Sequence, residues 1–356
     1  ISFLVTDTPA SSKPIMFFSG DFVFVGDVGR PDLLEKAAGY VGTMERGARQ
    51  LFASLQRFKQ LPDYVQVHPA HGAGSACGKA LGAIPHSTVG YEKITNWAFQ
   101  FDDEDAFVRA LLEGQPEPPR YFAMMKKLNK EPRAVLPGGK VPVLPRLNGE
   151  QVEQLRSTGT LIIDTRDKVS FAGGHIPGSI NIQNNGAFST WAGWIIPYDQ
   201  PFALITPTEQ LEEVTRKLIR IGLDHAVGYL PDVTEWAGGG RELVSLPQMS
   251  VHELASQIEQ GNVVVLDVRN QSEYDAGHIA GALHIFAGYL EQNLDRIPRD
   301  RLVAVHCAGG DRSSIATSLL HRYNFSNTVN VTGGINAWIA AGYPVETQRY
   351  TAAVPL

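Results

Sequence analysis

The chain has 356 residues, 43% of them hydrophobic and 19% charged, and carries a formal net charge of −6. That length predicts two or three ordinary globular domains. The acidic balance leaves no basic excess to neutralise nucleic-acid phosphates, and no apolar run reaches the roughly 18 residues of a membrane span. Only Cys77 and Cys307 are cysteines, and they lie far apart in the sequence. Few thiols and no disulfide framework fit a reducing cytoplasm.

Residues 1–131 alternate strand-like and helix-like stretches. A short apolar run at 15–18 ends in Ser19-Gly20-Asp21, which reads as a strand running into a turn. Residues 45–58 have helical apolar spacing, and a second strand at 64–68 leads into Pro69-Ala70-His71-Gly72. An Asp after Gly at a strand end presents a hard oxygen ligand to a cleft, and a His at a neighbouring strand end can reach the same cleft. The alternative for Asp21 is a local turn hydrogen bond, and for His71 no ligand role. Cys77 lies six residues beyond His71 in a glycine-rich stretch. It is either a small buried residue or a thiol that receives or shields sulfur beside that cleft. Residues 132–146 hold Pro132, Pro137, Gly138, Gly139, Pro142 and Pro145, too many breakers for a regular helix, and mark a linker.

Beyond the linker the chain repeats itself. Leu161-Ile162-Ile163-Asp164-Thr165-Arg166 matches Val264-Val265-Leu266-Asp267-Val268-Arg269, and Gly174-His175-Ile176 matches Gly277-His278-Ile279, both at an offset of 103 positions. Trp236 and Trp338 close the two copies. This predicts tandem domains over 147–245 and 246–350. Apolar strands alternate with amphipathic helices such as 250–260 and 313–321, the pattern of a parallel sheet covered by helices. Asp164, Arg166 and His175, like Asp267, Arg269 and His278, are expected to serve structure through ion pairs and turn hydrogen bonds.

The main chemical signal is the apolar run 302–305 leading through His306 to Cys307, then Ala308-Gly309-Gly310-Asp311-Arg312-Ser313. A strand followed by small residues and a helix start places a sulfur at the carboxyl edge of a parallel sheet, where α/β ligand sites lie. Backbone N–H groups of such a loop form an anion cradle that stabilises a thiolate, and Arg312 adds a fixed charge. A buried structural Cys is the plainer alternative. In the first copy Thr206 or Pro207 stands at the nucleophile position, without a glycine-rich loop, so that copy is expected to be catalytically silent.

On these residues, together with Glu273-Tyr274, Gly281-Ala282 and Gly333-Gly334-Ile335-Asn336-Ala337-Trp338, the second copy resembles a rhodanese domain. The resemblance implies that Cys307 carries sulfur as a persulfide, with residues 308–313 (Ala308, Gly309, Gly310, Asp311, Arg312, Ser313) cradling the substrate.

Asp21, Gly29-Arg30-Pro31-Asp32 and Pro69-Ala70-His71 resemble the carboxyl-terminal part of a metallo-β-lactamase-fold domain. Within that superfamily they look most like persulfide dioxygenases fused to rhodanese domains. The implied fold is α/β, a partial metallo-β-lactamase αββα sandwich followed by two rhodanese-like parallel-sheet domains. The family's His-x-His-x-Asp-His motif and a later Gly-His-Thr segment are not in this sequence, so the chain is expected to be part of a longer protein. The resemblance makes Asp21 a ligand to one non-haem iron, with Zn or Mn as possible substitutes, and O2 a co-substrate. His71, Cys77 and Arg30 rank below it as neighbours of the metal site, Arg30 being expected to pair with Asp32.

The implied activity is oxidation of a low-molecular-weight thiol persulfide to sulfite, with sulfane sulfur moved between sulfite, thiosulfate and thiol at Cys307. A glyoxalase-II-like zinc thioesterase fused to rhodanese domains is the alternative enzyme, and a sulfur-carrier or interaction module the non-catalytic one. A cytoplasmic homo-oligomer, dimer or tetramer, is expected.

Overall fold

The computed structural model describes residues 1–36, 39–73, 81–115, 117–131 and 136–347. The chain divides into the units Ile1–Ala123 and Met124–Leu356. The division falls before the Pro- and Gly-rich stretch because Met124 and Leu128, on the helix Tyr121–Lys130, close over Gly222 of the second unit. Among the described residues no helix is long and apolar enough to cross a membrane.

In the first unit a four-stranded sheet has the order β1 (Phe3–Val5), β2 (Met16–Gly20), β5 (Gln66–Pro69), β6 (Ser87–Thr88). The central pair β2 and β5 is parallel, and both outer pairings are antiparallel. A small ribbon of β3 (Val23–Phe24) and β4 (Asp27–Val28) follows β2. The helix Met44–Phe58 turns Ala48, Leu55 and Phe58 inward, against Val65, Val67, Phe99 and Phe107. Asp103 caps the helix Glu104–Leu112 by accepting from the Ala106 amide, so Phe107 and Leu111 enter the same core in register.

The second unit holds two sheets whose strands all run parallel. The first has the order β10 (Ala226–Leu230), β9 (Phe202–Ile205), β7 (Leu161–Asp164), β8 (Ile180–Asn181). The second has the order β11 (Gln248–Met249), β15 (Thr328–Val331), β14 (Leu302–His306), β12 (Val263–Asp267), β13 (Leu283–His284). Strands β7 and β9 are buried at every position, as expected of a sheet with helices on both faces. Residues 145–147 run along the outside of β10, where Tyr229 N–H donates to the Pro145 carbonyl and Leu147 N–H to the Tyr229 carbonyl.

The repeated residues do the same structural work twice. Arg166 forks onto buried Asp164 and donates to the Gly174 carbonyl, and Arg269 does the same with Asp267 and Gly277. His175 stacks on Phe171 with ring centroids 3.9 Å apart, and His278 stacks on Tyr274 at 3.8 Å. Each ring donates from Nδ1 to the carbonyl of the residue it covers.

Burial pushes His175 down to about 4, against the backbone hydrogen bond to Phe171 that favours the charged ring. The unfolded chain therefore takes up a proton between pH 6.5 and 4 that the folded chain refuses. The stabilising contribution of the neutral ring is complete above pH 6.5 and is lost as pH falls toward 4. His175 alone is expected to remove about 2 kcal/mol of stability between pH 7 and pH 5. Urea unfolding followed by tryptophan fluorescence at both pH values should show this drop shrinking in His175→Gln. An equal drop in parent and variant would refute the assignment.

Candidate active site

Strand β14 is apolar until its last residue, His306, and leads directly into Cys307, which is 1% exposed. The chain then turns through Ala308 and Gly309 into Gly310, whose φ of +105° lies in the region that favours glycine. That turn aims the Gly310 N–H at the Cys307 sulfur, at 3.1 Å. The helix Asp311–Arg322 starts at the next residue, and its Ser313 hydroxyl lies 3.6 Å from the same sulfur. An amide donor, a hydroxyl donor and a helix N-terminus thus converge on one sulfur, an arrangement that stabilises negative charge there.

The loop is held from behind by the helix Gly334–Ala340. Ile335 N–H donates to the Cys307 carbonyl and Asn336 N–H to the Ala308 carbonyl. A Cβ on Gly334 would stand 2.3 Å from the Cys307 carbonyl oxygen, so this approach requires glycine. The Gly333-Gly334 pair noted in the sequence therefore acts as a backbone clamp on the Cys307 loop.

Of the residues expected to form the cradle, Gly310, Ser313 and the Arg312 guanidinium act on the sulfur, and half-buried Ala308 and exposed Gly309 form the loop's outer turn. Arg312 is not a free charge. Its guanidinium forks onto Glu273 at 2.5 and 2.7 Å. Burial alone would raise the Glu273 carboxyl, but the Arg312 hydrogen bonds outweigh it and hold the carboxyl below its usual range. Asp311 forms an ion pair with Lys168 of the first repeat at 2.5 Å, and Lys168 also donates to the Gly309 carbonyl at 2.9 Å. Asn185, again from the first repeat, reaches the other Asp311 oxygen at 3.4 Å.

Sequence reasoning missed Lys168 and His306. His306 is fully buried, with Nε2 3.5 Å from Asp267 Oδ2 and without a hydrogen-bond partner. Burial pushes its ring below the usual histidine range, leaving it neutral at pH 7. The detectable signal for His306 was a polar residue closing an otherwise apolar strand.

In the first repeat β9 occupies the place of β14, and Thr206 the place of Cys307. Thr206 is buried, and its hydroxyl has no partner. Pro207 and the short helical turn Thr208–Gln210 follow directly, so no cradle forms around it.

In the first unit Asp21 follows β2, and its Oδ1 lies 2.8 Å from His71 Nδ1. Both side chains are open, at 64% and 41% exposure. Arg30 forks onto Asp32 in a fully buried pair, away from solvent. His68 does not join Asp21. It stacks between Phe18 and His86 and bonds to Gln66. A carboxylate and an imidazole fit a divalent metal chemically. Among the described residues, however, no group of three or more His, Cys, Asp or Glu is placed to hold one. The pair alone is therefore not a coordination shell. Cys77 lies outside the described residues.

Comparison with known proteins places these features. The rhodanese-like domain family matches residues 148–239 and 250–341. A sulfurtransferase of Allochromatium vinosum is 32% identical over 84 residues, covering 24% of this chain and 78% of that protein. The thiosulfate sulfurtransferase GlpE of Coxiella burnetii is 29% identical over 93 residues, covering 26% of this chain and 87% of GlpE. A metallo-beta-lactamase structure from Staphylococcus aureus matches at 44% identity and a TM-score of 0.55, covering 65% of this chain and 63% of that one. The chain likewise spans 64% of the length of the YrkF protein of Bacillus subtilis, at 25% identity over 132 residues. These relatives support sulfur transfer and a metallo-β-lactamase-fold domain. With two matches that together take in more than half of its length, this chain belongs to the rhodanese-like family, as a tandem pair joined to a metallo-β-lactamase-like unit.

Proposed function

We propose that the second repeat is a sulfurtransferase in which Cys307 is the nucleophile. The observation that carries this reading is the single sulfur at the carboxyl edge of a parallel sheet, facing the Gly310 amide and the Ser313 hydroxyl. In the first half-reaction the Cys307 thiolate attacks the outer sulfur of thiosulfate. A new S–S bond forms, the thiosulfate S–S bond breaks, and sulfite leaves with the electron pair. In the second, an acceptor thiolate attacks the terminal sulfur of the Cys307 persulfide and releases the Cys307 thiolate. The amide and hydroxyl hold the negative sulfur in both resting and loaded states without moving, which lowers the cost of charge migration. The 29% identity to a thiosulfate sulfurtransferase supports thiosulfate as donor.

The metallo-β-lactamase-like unit extends the proposal to persulfide dioxygenation. A thiol persulfide, O2 and water would give the thiol, sulfite and two protons. The support is the motif resemblance, the 44% identity to a metallo-beta-lactamase and the Asp21–His71 donor pair. One non-haem iron would supply the oxygen chemistry, with Asp21 as this chain's ligand and the remaining donors from outside the described residues. Sulfite from that unit is an acceptor for sulfur held on Cys307, which gives the fusion a chemical logic.

After incubation with thiosulfate, Cys307 in intact protein is expected to gain the mass of one sulfur atom, and Cys307→Ala to lose thiosulfate:cyanide transfer by at least about 1,000-fold, the scale of removing a covalent nucleophile. Transfer that survives in Cys307→Ala would refute the assignment and leave the repeats as a carrier or interaction module. The second expectation is bound iron with O2 uptake on a thiol persulfide, both lost in Asp21→Ala. Zinc with thioester hydrolysis and no O2 uptake would overturn it in favour of the hydrolase.

A further inference from the structure

The repeat without a nucleophile reaches into the site of the repeat that has one. Lys168 opens the helix Lys168–Gly173, directly after its cap Asp167. A lysine at a helix N-terminus opposes the helix dipole, so its placement there has a local cost. Its ammonium touches two consecutive parts of the Cys307 loop, the Gly309 carbonyl at 2.9 Å and the Asp311 carboxylate at 2.5 Å. Its aliphatic stem lies over Gly310, where an added Cβ would meet Lys168 Cε at 3.5 Å and Cδ at 3.6 Å. The ion pair is a third to a half exposed, and such pairs contribute little to stability. Fold maintenance is therefore a poor account of it.

The chemistry of the loop offers a better one. Asp311 is an anion four residues from the sulfur, with its carboxylate half exposed on the same loop. An anionic donor such as thiosulfate would be repelled by it. Arg312 is paired with Glu273 and faces Cys307 rather than Asp311. Lys168 is the cation paired with Asp311 in the structure.

We propose that Lys168 is a positioning residue of the Cys307 site, which neutralises Asp311 and holds the Gly309 carbonyl aside so that an anionic sulfur donor can approach the nucleophile. The inference rests on the sulfur-transfer reading for its substrate, and it gives the silent repeat a direct part in donor selection.

The test compares the parent with Lys168→Met, Lys168→Arg and the double variant Lys168→Met/Asp311→Asn. Two readouts are needed. One is kcat and KM for thiosulfate. The other is the rate of alkylation of Cys307 by anionic iodoacetate relative to neutral iodoacetamide, followed by peptide mass. Removing one charge beside the loop should raise KM about threefold, with kcat little changed, and lower the iodoacetate-to-iodoacetamide ratio about threefold. Lys168→Arg should keep the parent values, and the double variant should recover both. A loss that affects both reagents alike, or that the second substitution does not repair, would mean that Lys168 only supports the fold and would overturn the proposal. An unchanged KM and ratio in Lys168→Met would do the same. If the parent transfers no sulfur from thiosulfate but the alkylation ratio shifts and recovers as stated, the sulfur-transfer reading fails while the role of Lys168 at the loop stands.

Discussion

The helix Asp311–Arg322 is the element on which the second unit depends. Every residue from Ser313 to Leu320 is buried, which a helix covering one face of an isolated sheet would not achieve. The first repeat supplies the missing cover. Ser314 donates to the Asn181 side chain, Asn181 N–H donates to the Ser318 hydroxyl, and Arg322 reaches the Gly178 and Gly159 carbonyls. Three polar side chains on an otherwise buried helix are thus satisfied by backbone and amide groups of the other copy, as buried polar groups require. The sulfur loop at the start of this helix inherits its rigidity from that packing.

The two repeats share their latches but not the Cys307 loop. The Asp–x–Arg forks and the stacked His–aromatic pairs survive in both repeats with nearly equal distances. They fix where the central strand stops and where the next turn begins. The Cys307 loop has no counterpart in the first repeat, because Pro207 follows the position of Cys307 there and takes the backbone directly into a helical turn. A proline there fixes φ and removes an amide donor, so no anion cradle can be rebuilt at Thr206 by changing one side chain.

Much of this organisation was legible in the sequence. The constant spacing of Asp164 and Asp267, and of His175 and His278, fixes the tandem pair, since local latches recur wherever the same strand ends recur. Cys307 was legible because its flanking residues encode a turn geometry within seven positions. Relations between distant segments were not legible. Arg312 reads as a free charge until Glu273, 39 positions earlier, is brought beside it. Lys168 reads as an ordinary helix residue until its 143-position separation from Asp311 closes. The packing of Met124 and Leu128 on Gly222, which draws the unit division ahead of the Pro- and Gly-rich stretch, likewise leaves no local mark. At Asp21 and His71 the donors were legible and are adjacent, but among the described residues they do not complete a site.

The sheet edges have a consequence for how copies of this chain can meet. Strands β8, β11 and β13 are each two residues long, and each lies at an edge. The remaining edge, β10, is covered by residues 145–147, which include a proline without an amide to offer. None of these edges presents a ladder long enough to template strand addition from another molecule. At this tandem pair, assembly by sheet extension is closed off, along with the aggregation that accompanies exposed edges. Self-association through it would then draw on displayed side chains rather than on strand pairing, so that specificity can be set residue by residue.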